Sequence, residues 1–297
     1  IEFFAFDPEE MTLDVDKTKA KVEDLKSQGK LPKIAMFGGS VFLFPHPVKE
    51  LAEFLKGHGM HINYDAAHVA GLIAGGKFQD PLREGTDTMT MSTHKTLFGP
   101  QGGLVIGSEE HAEPIKKAMF PGLTSSHHIH HMGAKAVAFA EALEFGKDYA
   151  EQTIKNAKAL ASELNNVGFK VLGEKRGYTE SHQTVVNVLD YGDGGTIEAD
   201  LEKANIIVNR QLIPGDLKAG RHYMHPGGIR LGTSEITRLG MKESEMKEIA
   251  SLIKQVVVDK KDAGEIAARV KEFKTDFKKT QYCFDNKLGA YEYVKLR

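Results

Sequence analysis

The 297-residue chain is 41% hydrophobic and 27% charged, with a formal net charge of −2. That composition supplies a sizeable core, enough for about two domains, and offers no basic surface of the kind that nucleic acid or an anionic membrane requires. A single cysteine, Cys283, excludes an internal disulfide and fits a reducing, cytoplasmic setting, and no apolar run reaches the roughly 18 residues of a membrane span.

The chain opens on Ile1-Glu2-Phe3-Phe4-Ala5-Phe6, with neither an initiator Met nor the layout of a signal peptide. It reads as a strand already under way, so an upstream part is expected. Residues 33–40 predict a strand that breaks at Gly38 and Gly39, and 47–55 a helix with Pro47 at its first turn. Two strand-length runs follow: 61–64, ending in Asp65, and 86–91, ending in Ser92-Thr93-His94-Lys95. Gly102–Gly107 predicts a short strand, and this alternation of strand and helix argues for a parallel sheet covered by helices. A long helical pattern occupies 132–164. Beyond it the texture changes, with strands predicted at 169–172, 184–189 and 228–232 and helices at 197–203 and 243–258. Residues 262–279 read as an amphipathic charged helix with a solvated face. A domain boundary is expected near residue 150, giving domains 1–150 and 151–297.

The chemistry concentrates at the two strand ends. In an open α/β sheet, ligands bind outside the carboxyl ends of the strands. A lysine at one such end and a carboxylate at the next are what pyridoxal 5'-phosphate needs. The amine forms a Schiff base, and the acid keeps the pyridine nitrogen protonated. The competing readings are an ordinary surface lysine at Lys95 and, at Asp65, a strand-end turn former or a cap for a helix over 66–73. His68 either reaches the ring or is a half-buried polar residue. Arg230, inside an apolar glycine-flanked strand, needs an anionic partner. A substrate carboxylate and an internal salt bridge both satisfy it. His127, His128, His130 and His131 follow Ser125 and Ser126. The histidines admit adventitious metal, but no fixed-spacing metal motif accompanies them, and the serine-rich turn suits an anion better.

The segments Asn63-Tyr64-Asp65-Ala66-Ala67-His68-Val69-Ala70-Gly71-Leu72-Ile73 and Thr93-His94-Lys95-Thr96-Leu97-Phe98-Gly99-Pro100-Gln101-Gly102-Gly103 resemble serine hydroxymethyltransferase. Phe120-Pro121-Gly122, Gly228-Ile229-Arg230-Leu231-Gly232-Thr233 and Thr237-Arg238-Leu239-Gly240 continue the likeness in order. The resemblance implies an α/β chain of PLP-dependent fold type I, similar to aspartate aminotransferase. Residues 1–150 would be the remainder of the large, mainly parallel domain, and 151–297 a smaller C-terminal α/β domain. It implies Lys95 as the Schiff-base lysine with Ser92 and His94 beside it, and Asp65 on the pyridine nitrogen. It further implies His68 and Ser40 near the ring hydroxyl, Arg230 on the substrate carboxylate, and Ser125 and Ser126 at the phosphate of a neighbouring subunit in a homodimer. Serine, glycine and a reduced pterin would be the small-molecule partners, with no metal, nucleic acid or membrane involved.

Three positions depart from the family pattern. Gln101 stands for its Arg, Ser125 and Ser126 for its phosphate glycines, and Gly215 for an Asn near the pterin. The last change favours a modified, archaeal-type carrier such as tetrahydromethanopterin over tetrahydrofolate. The family's upstream portion, with its proton-handling residues, is expected to lie before Ile1, and a chain lacking it would bind cofactor weakly and not turn over. Two further readings stay open: a threonine-type aldolase on the same scaffold, and an inactive, cofactor-free fragment that retains metal adventitiously.

Overall fold

The computed structural model describes residues 1–285 and 289–290. The chain divides into two compact units between Ala150 and Glu151.

The first unit opens with a small hairpin, β1 (Phe6–Asp7) against β2 (Thr12–Leu13), followed by helix α1 (Val15–Ser27). Asp14 caps that helix by accepting the Lys17 N–H at 2.9 Å, which satisfies one of the donors a helix start leaves open. A four-stranded sheet follows, in the order β3 (Ile34–Gly38), β4 (His61–Asp65), β5 (Thr88–His94), β6 (Phe98–Gly107). Helix α2 (Val48–Gly57) links β3 to β4 and buries Val48, Leu51, Ala52 and Leu55, the i, i+3, i+4, i+7 stripe of an amphipathic helix. Short helices α3 (Ala70–Ala74) and α4 (Pro81–Glu84) link β4 to β5.

Strands β3, β4 and β5 are parallel, with Gly38 opposite Asp65 and Asp65 opposite Thr90. The expected glycine-rich strand at 102–107 is the end of a longer one, and it runs antiparallel to β5. Only Lys95, Thr96 and Leu97 separate the two. A parallel return needs a crossover of a dozen or more residues, so so short a link permits only a hairpin. One face of the sheet buries Ala35, Phe37, Ile62, Tyr64, Met89 and Met91. On the strands' other face Ile34 and Met36 are 62% and 54% exposed, and Asn63, Asp65, Thr90 and Ser92 are half-buried.

Helix α5 (Ala112–Lys117) follows β6, and α6 runs from Ile129 to Asn166 across the boundary between the units. Between and along them lie exposed apolar side chains, including Phe120 (66%), Leu123 (87%) and Ile129 (73%).

In the second unit, β7 (Lys170–Val171), β8 (Gln183–Asn187), β9 (Asn209–Gln211) and β10 (Gly228–Gly232) form an antiparallel sheet in the order β7-β8-β10-β9. Helices α7 (Gly194–Lys203), α8 (Ser234–Arg238), α9 (Glu243–Val257) and α10 (Ala263–Phe273) accompany it. Leu164, Phe169, Val186, Ile197, Leu201, Met246, Ile253 and Val257 fill the core. The helix expected over 262–279 stops at Phe273, and it is no mere solvated face: Ile266 and Val270 are buried in that core. Its apolar residues at i and i+4 are few but share one side, which is enough to seat it. Strand β9 has only three residues and carries no apolar alternation, so nothing local announces it.

Candidate active site

Six of the residues singled out from sequence gather at the carboxyl ends of the first unit's parallel strands. Asp65 is the last residue of β4, and His68 lies three residues on; Ser92 and His94 end β5, and Lys95 follows directly; Ser40 lies two residues beyond β3. His94 and Lys95 are exposed, Ser40 is exposed, and Asp65 and His68 are half-buried.

The turn that carries Lys95 is fixed from both sides. Thr96, fully buried, donates its hydroxyl to the His68 carbonyl at 2.8 Å and accepts the Gly71 N–H at 3.0 Å. Gly71 allows that approach because a Cβ there would lie 2.1 Å from the Thr96 carbonyl oxygen. Ser92 donates to the Ala67 carbonyl at 2.8 Å, and Thr93 donates to the Pro100 carbonyl at 2.7 Å. The Gly102 N–H reaches His94 Nδ1 at 3.3 Å. A buried hydroxyl with both donor and acceptor engaged, as at Thr96, holds backbone where side-chain packing alone leaves freedom. A loop immobilised in this way presents the Lys95 amine from a rigid base.

Asp65 is shaped by its neighbours as well. It is not the cap of a helix over 66–73, since α3 starts only at Ala70 behind Val69. Instead its Oδ1 accepts the Ala67 N–H at 3.0 Å, an Asx turn that steers the chain away from the sheet. On β3, Gly38 sits at φ +91°, and a Cβ there would lie 2.3 Å from the Asp65 carbonyl oxygen, so glycine lets the two strand ends close up. A primary amine on a rigidly held turn, a half-buried carboxylate on the adjacent strand and a glycine-lined edge fit a pyridoxal phosphate: an amine for its aldehyde and a carboxylate for its ring nitrogen.

Behind this edge lies a polar hub with no counterpart in the sequence reading. Gln79 Oε1 accepts from the Tyr64 hydroxyl at 2.7 Å and the His46 N–H at 2.9 Å. Gln79 Nε2 donates to the His46 carbonyl at 3.0 Å and to Glu84 Oε2 at 2.6 Å. The Gly38 N–H donates to His46 Nδ1 at 3.2 Å, which pins the turn bearing Ser40. These partners lie up to 33 positions apart, so no spacing rule links them.

Burial pushes the His46 imidazole down from 6.5 to about 4. The native ring stays neutral while the unfolded one protonates, so stability is complete above about pH 6.5 and is lost as pH falls toward 4. This group is expected to lower the unfolding free energy by roughly 2–3 kcal/mol over that interval. Denaturant unfolding at pH 7 and pH 4.5 checks it, with His46→Gln expected to flatten that part of the profile.

In the second unit Arg230 sits on β10 between Val185 of β8 and Asn209 of β9. Its Nη2 donates to Asn209 Oδ1 at 3.0 Å. Burial lowers the pKa of the guanidinium, and the Tyr223 phenol acts in the opposite sense. A desolvated guanidinium directed by a neutral amide remains a strong receptor for a planar carboxylate. Ser125 and Ser126 are exposed in the segment before α6. The rings of His128, His130 and His131 contact one another, with centroids 4.5–5.6 Å apart. Among the described residues no group of three or more His, Cys, Asp or Glu is arranged to hold a metal ion, and no helix is long and apolar enough to cross a membrane.

The architecture and this edge define an enzyme of PLP fold type I. The crystal structure of L-threonine transaldolase from Pseudomonas fluorescens in its internal aldimine state superposes with a TM-score of 0.83 at 31% identity, over 96% of this chain and 63% of that one. The family model of serine hydroxymethyltransferase matches residues 2–253. Serine hydroxymethyltransferases of Nitrosopumilus maritimus and Cenarchaeum symbiosum are 76% and 74% identical over all of this chain. The chain belongs to the serine hydroxymethyltransferase family of PLP-dependent transferases. It spans 68% and 67% of the length of those two relatives.

Proposed function

We propose that the chain is the lysine-bearing and C-terminal part of a serine hydroxymethyltransferase, which interconverts serine and glycine and passes a one-carbon unit to a reduced pterin. The observation that carries this reading is Lys95 and Asp65 at the carboxyl ends of adjacent parallel strands. Bound pyridoxal 5'-phosphate supplies a cationic ring that takes up the electron pair released at the amino acid's α-carbon. Lys95 would hold the cofactor through its ε-amine and yield that place to the substrate's amino group. Asp65 would keep the pyridine nitrogen protonated through a charge-assisted hydrogen bond. Ser40 and His68 would meet the ring hydroxyl, with Ser92 and His94 lining the same edge. Arg230 would take the substrate carboxylate in two parallel hydrogen bonds and fix which bond at the α-carbon is aligned for cleavage.

The same reading makes the protein a cytoplasmic homodimer. The exposed Phe120, Leu123 and Ile129 would be covered by a second copy, and Ser125 and Ser126 would reach that copy's phosphate. Gly215, where the family has Asn, favours a modified pterin carrier. A second reading, a threonine-type aldolase, draws on the 31% identity to the transaldolase.

Serine cleavage assayed without pterin, with tetrahydrofolate and with tetrahydromethanopterin separates these. The proposal expects a pterin to accelerate cleavage about tenfold or more, tetrahydromethanopterin most. Pterin-independent cleavage of threonine that outruns serine would establish the aldolase instead.

A further inference from the structure

The loop that joins β9 to β10, residues 212–227, is closed at its neck by one carboxylate. Asp216 is 1% exposed. Its Oδ2 accepts the Ile213 N–H at 2.9 Å and the Gly227 N–H at 2.7 Å. Its Oδ1 lies 3.3 Å from Arg221 Nη1, and the Arg221 N–H donates to the Asp216 carbonyl at 2.9 Å. Ile213 stands near the start of the loop and Gly227 at its end, so a single side chain ties entry to exit. Two backbone N–H groups on one carboxylate oxygen make a strong, directional clasp. The neck is also tight, since a Cβ on Gly227 would lie 2.7 Å from Asp216 Oδ1.

The clasp acts next on β10. That strand begins at Gly228, immediately after the clasped Gly227, and pairs Gly228 with Gln211 and Arg230 with Asn209. Strand β9 contributes only three residues to this ladder. So short a ladder holds register weakly by itself, and a one-residue slip turns every side chain to the opposite face. Fixing Gly227 against Ile213 fixes that register. The register is what sets Asn209 Oδ1 against Arg230 Nη2.

We infer that Asp216 is a positioning residue for carboxylate recognition: by clasping Ile213 to Gly227 it sets the β9–β10 register and thereby aims the Arg230 guanidinium. The inference rests on the reading of Arg230 as the receptor for the substrate carboxylate. Asp216 itself touches no substrate. It acts through Gly227, the ladder and Asn209.

The test is made on the intact PLP-loaded enzyme. Asp216→Asn keeps the size of the side chain but removes its charge and turns an amide NH2 toward a backbone donor. The KM for serine is expected to rise about tenfold while kcat stays within about twofold, the pattern of lost binding that is uniform along the reaction. The cofactor absorbance, and the dissociation constant of serinol, an amino alcohol without a carboxylate, are expected to stay unchanged. Asn209→Ala, which removes the last link without touching the loop, is expected to raise KM to a similar degree. The double variant is expected to be no worse than Asn209→Ala alone, because both act on one path. Arg221→Ala loosens the same carboxylate from outside and replaces Asp216→Asn should that variant not fold, with an expected two- to threefold rise in KM. A KM unchanged by loosening the clasp, or effects that simply add in the double variant, would overturn the inference and leave Asp216 as a stabiliser only. Arg230→Lys keeps the two failures apart: serine binding that survives it removes the reading of Arg230 itself, whereas serine binding lost there but retained in Asp216→Asn removes only the clasp.

Discussion

In the intact enzyme that includes the upstream portion, replacing Lys95 by alanine is expected to lower the rate of serine cleavage by about 10³-fold or more, which is about 4 kcal/mol of transition-state stabilisation. The fold is expected to survive the change. Lys95 is exposed, and its turn is held by Thr96, Ser92 and Thr93 rather than by its own side chain. Surface truncations of that kind stay within about 0.5 kcal/mol of the parent in stability. Thermal unfolding and the cleavage rate, measured side by side, therefore separate a working lysine from a structural one. Lost turnover with an unchanged melting temperature is the expected pair. Retained turnover would remove Lys95 from the chemistry altogether.

Gly71→Ala is expected to cost about 3 kcal/mol, the upper part of the range for forcing atoms into a packed site. The added Cβ would lie 2.1 Å from the Thr96 carbonyl oxygen, 2.3 Å from its carbon and 2.7 Å from the Leu97 nitrogen. All three are backbone atoms, so no rotamer change relieves the clash. The strain falls on the residue that follows Lys95, and affinity for pyridoxal phosphate is expected to fall along with stability. Gly76→Ala is the comparator. Gly76 has φ +65° with nothing near its Cβ, so its cost is conformational only, about 1 kcal/mol. Chemical denaturation of both variants decides the matter, and equal losses would contradict the proposed close approach.

The edge that carries Asp65 and Lys95 was legible because each residue terminates an apolar run of strand length, and period alone locates such ends. What period does not encode is direction. The antiparallel course of β6 follows from a three-residue link, and the link became visible only once Phe98 rather than Gly102 was known to begin the strand. Single polar residues with distant partners were equally silent. Gln79 and His46 meet across 33 positions, and Asp216 acts on Gly227 eleven positions away. Neither pair has the fixed spacing that marks a helix cap or a metal site. Arg230 was read correctly as an arginine in an apolar strand, but Asn209, its neutral partner, lies on a strand of three residues that no pattern reveals. At Asp65 the residue type suits both a strand-end turn and a helix cap, and the structure takes the turn, because the Ala67 N–H is within reach two residues on.

The most direct test of the central claim is to add pyridoxal 5'-phosphate to the intact enzyme that includes the upstream portion, reduce with borohydride and map the pyridoxyl mass by peptide sequencing. The account predicts a single stoichiometric adduct on Lys95, and its loss in Lys95→Ala. An adduct spread over exposed lysines such as Lys17 and Lys116, with Lys95 unmodified, would contradict it.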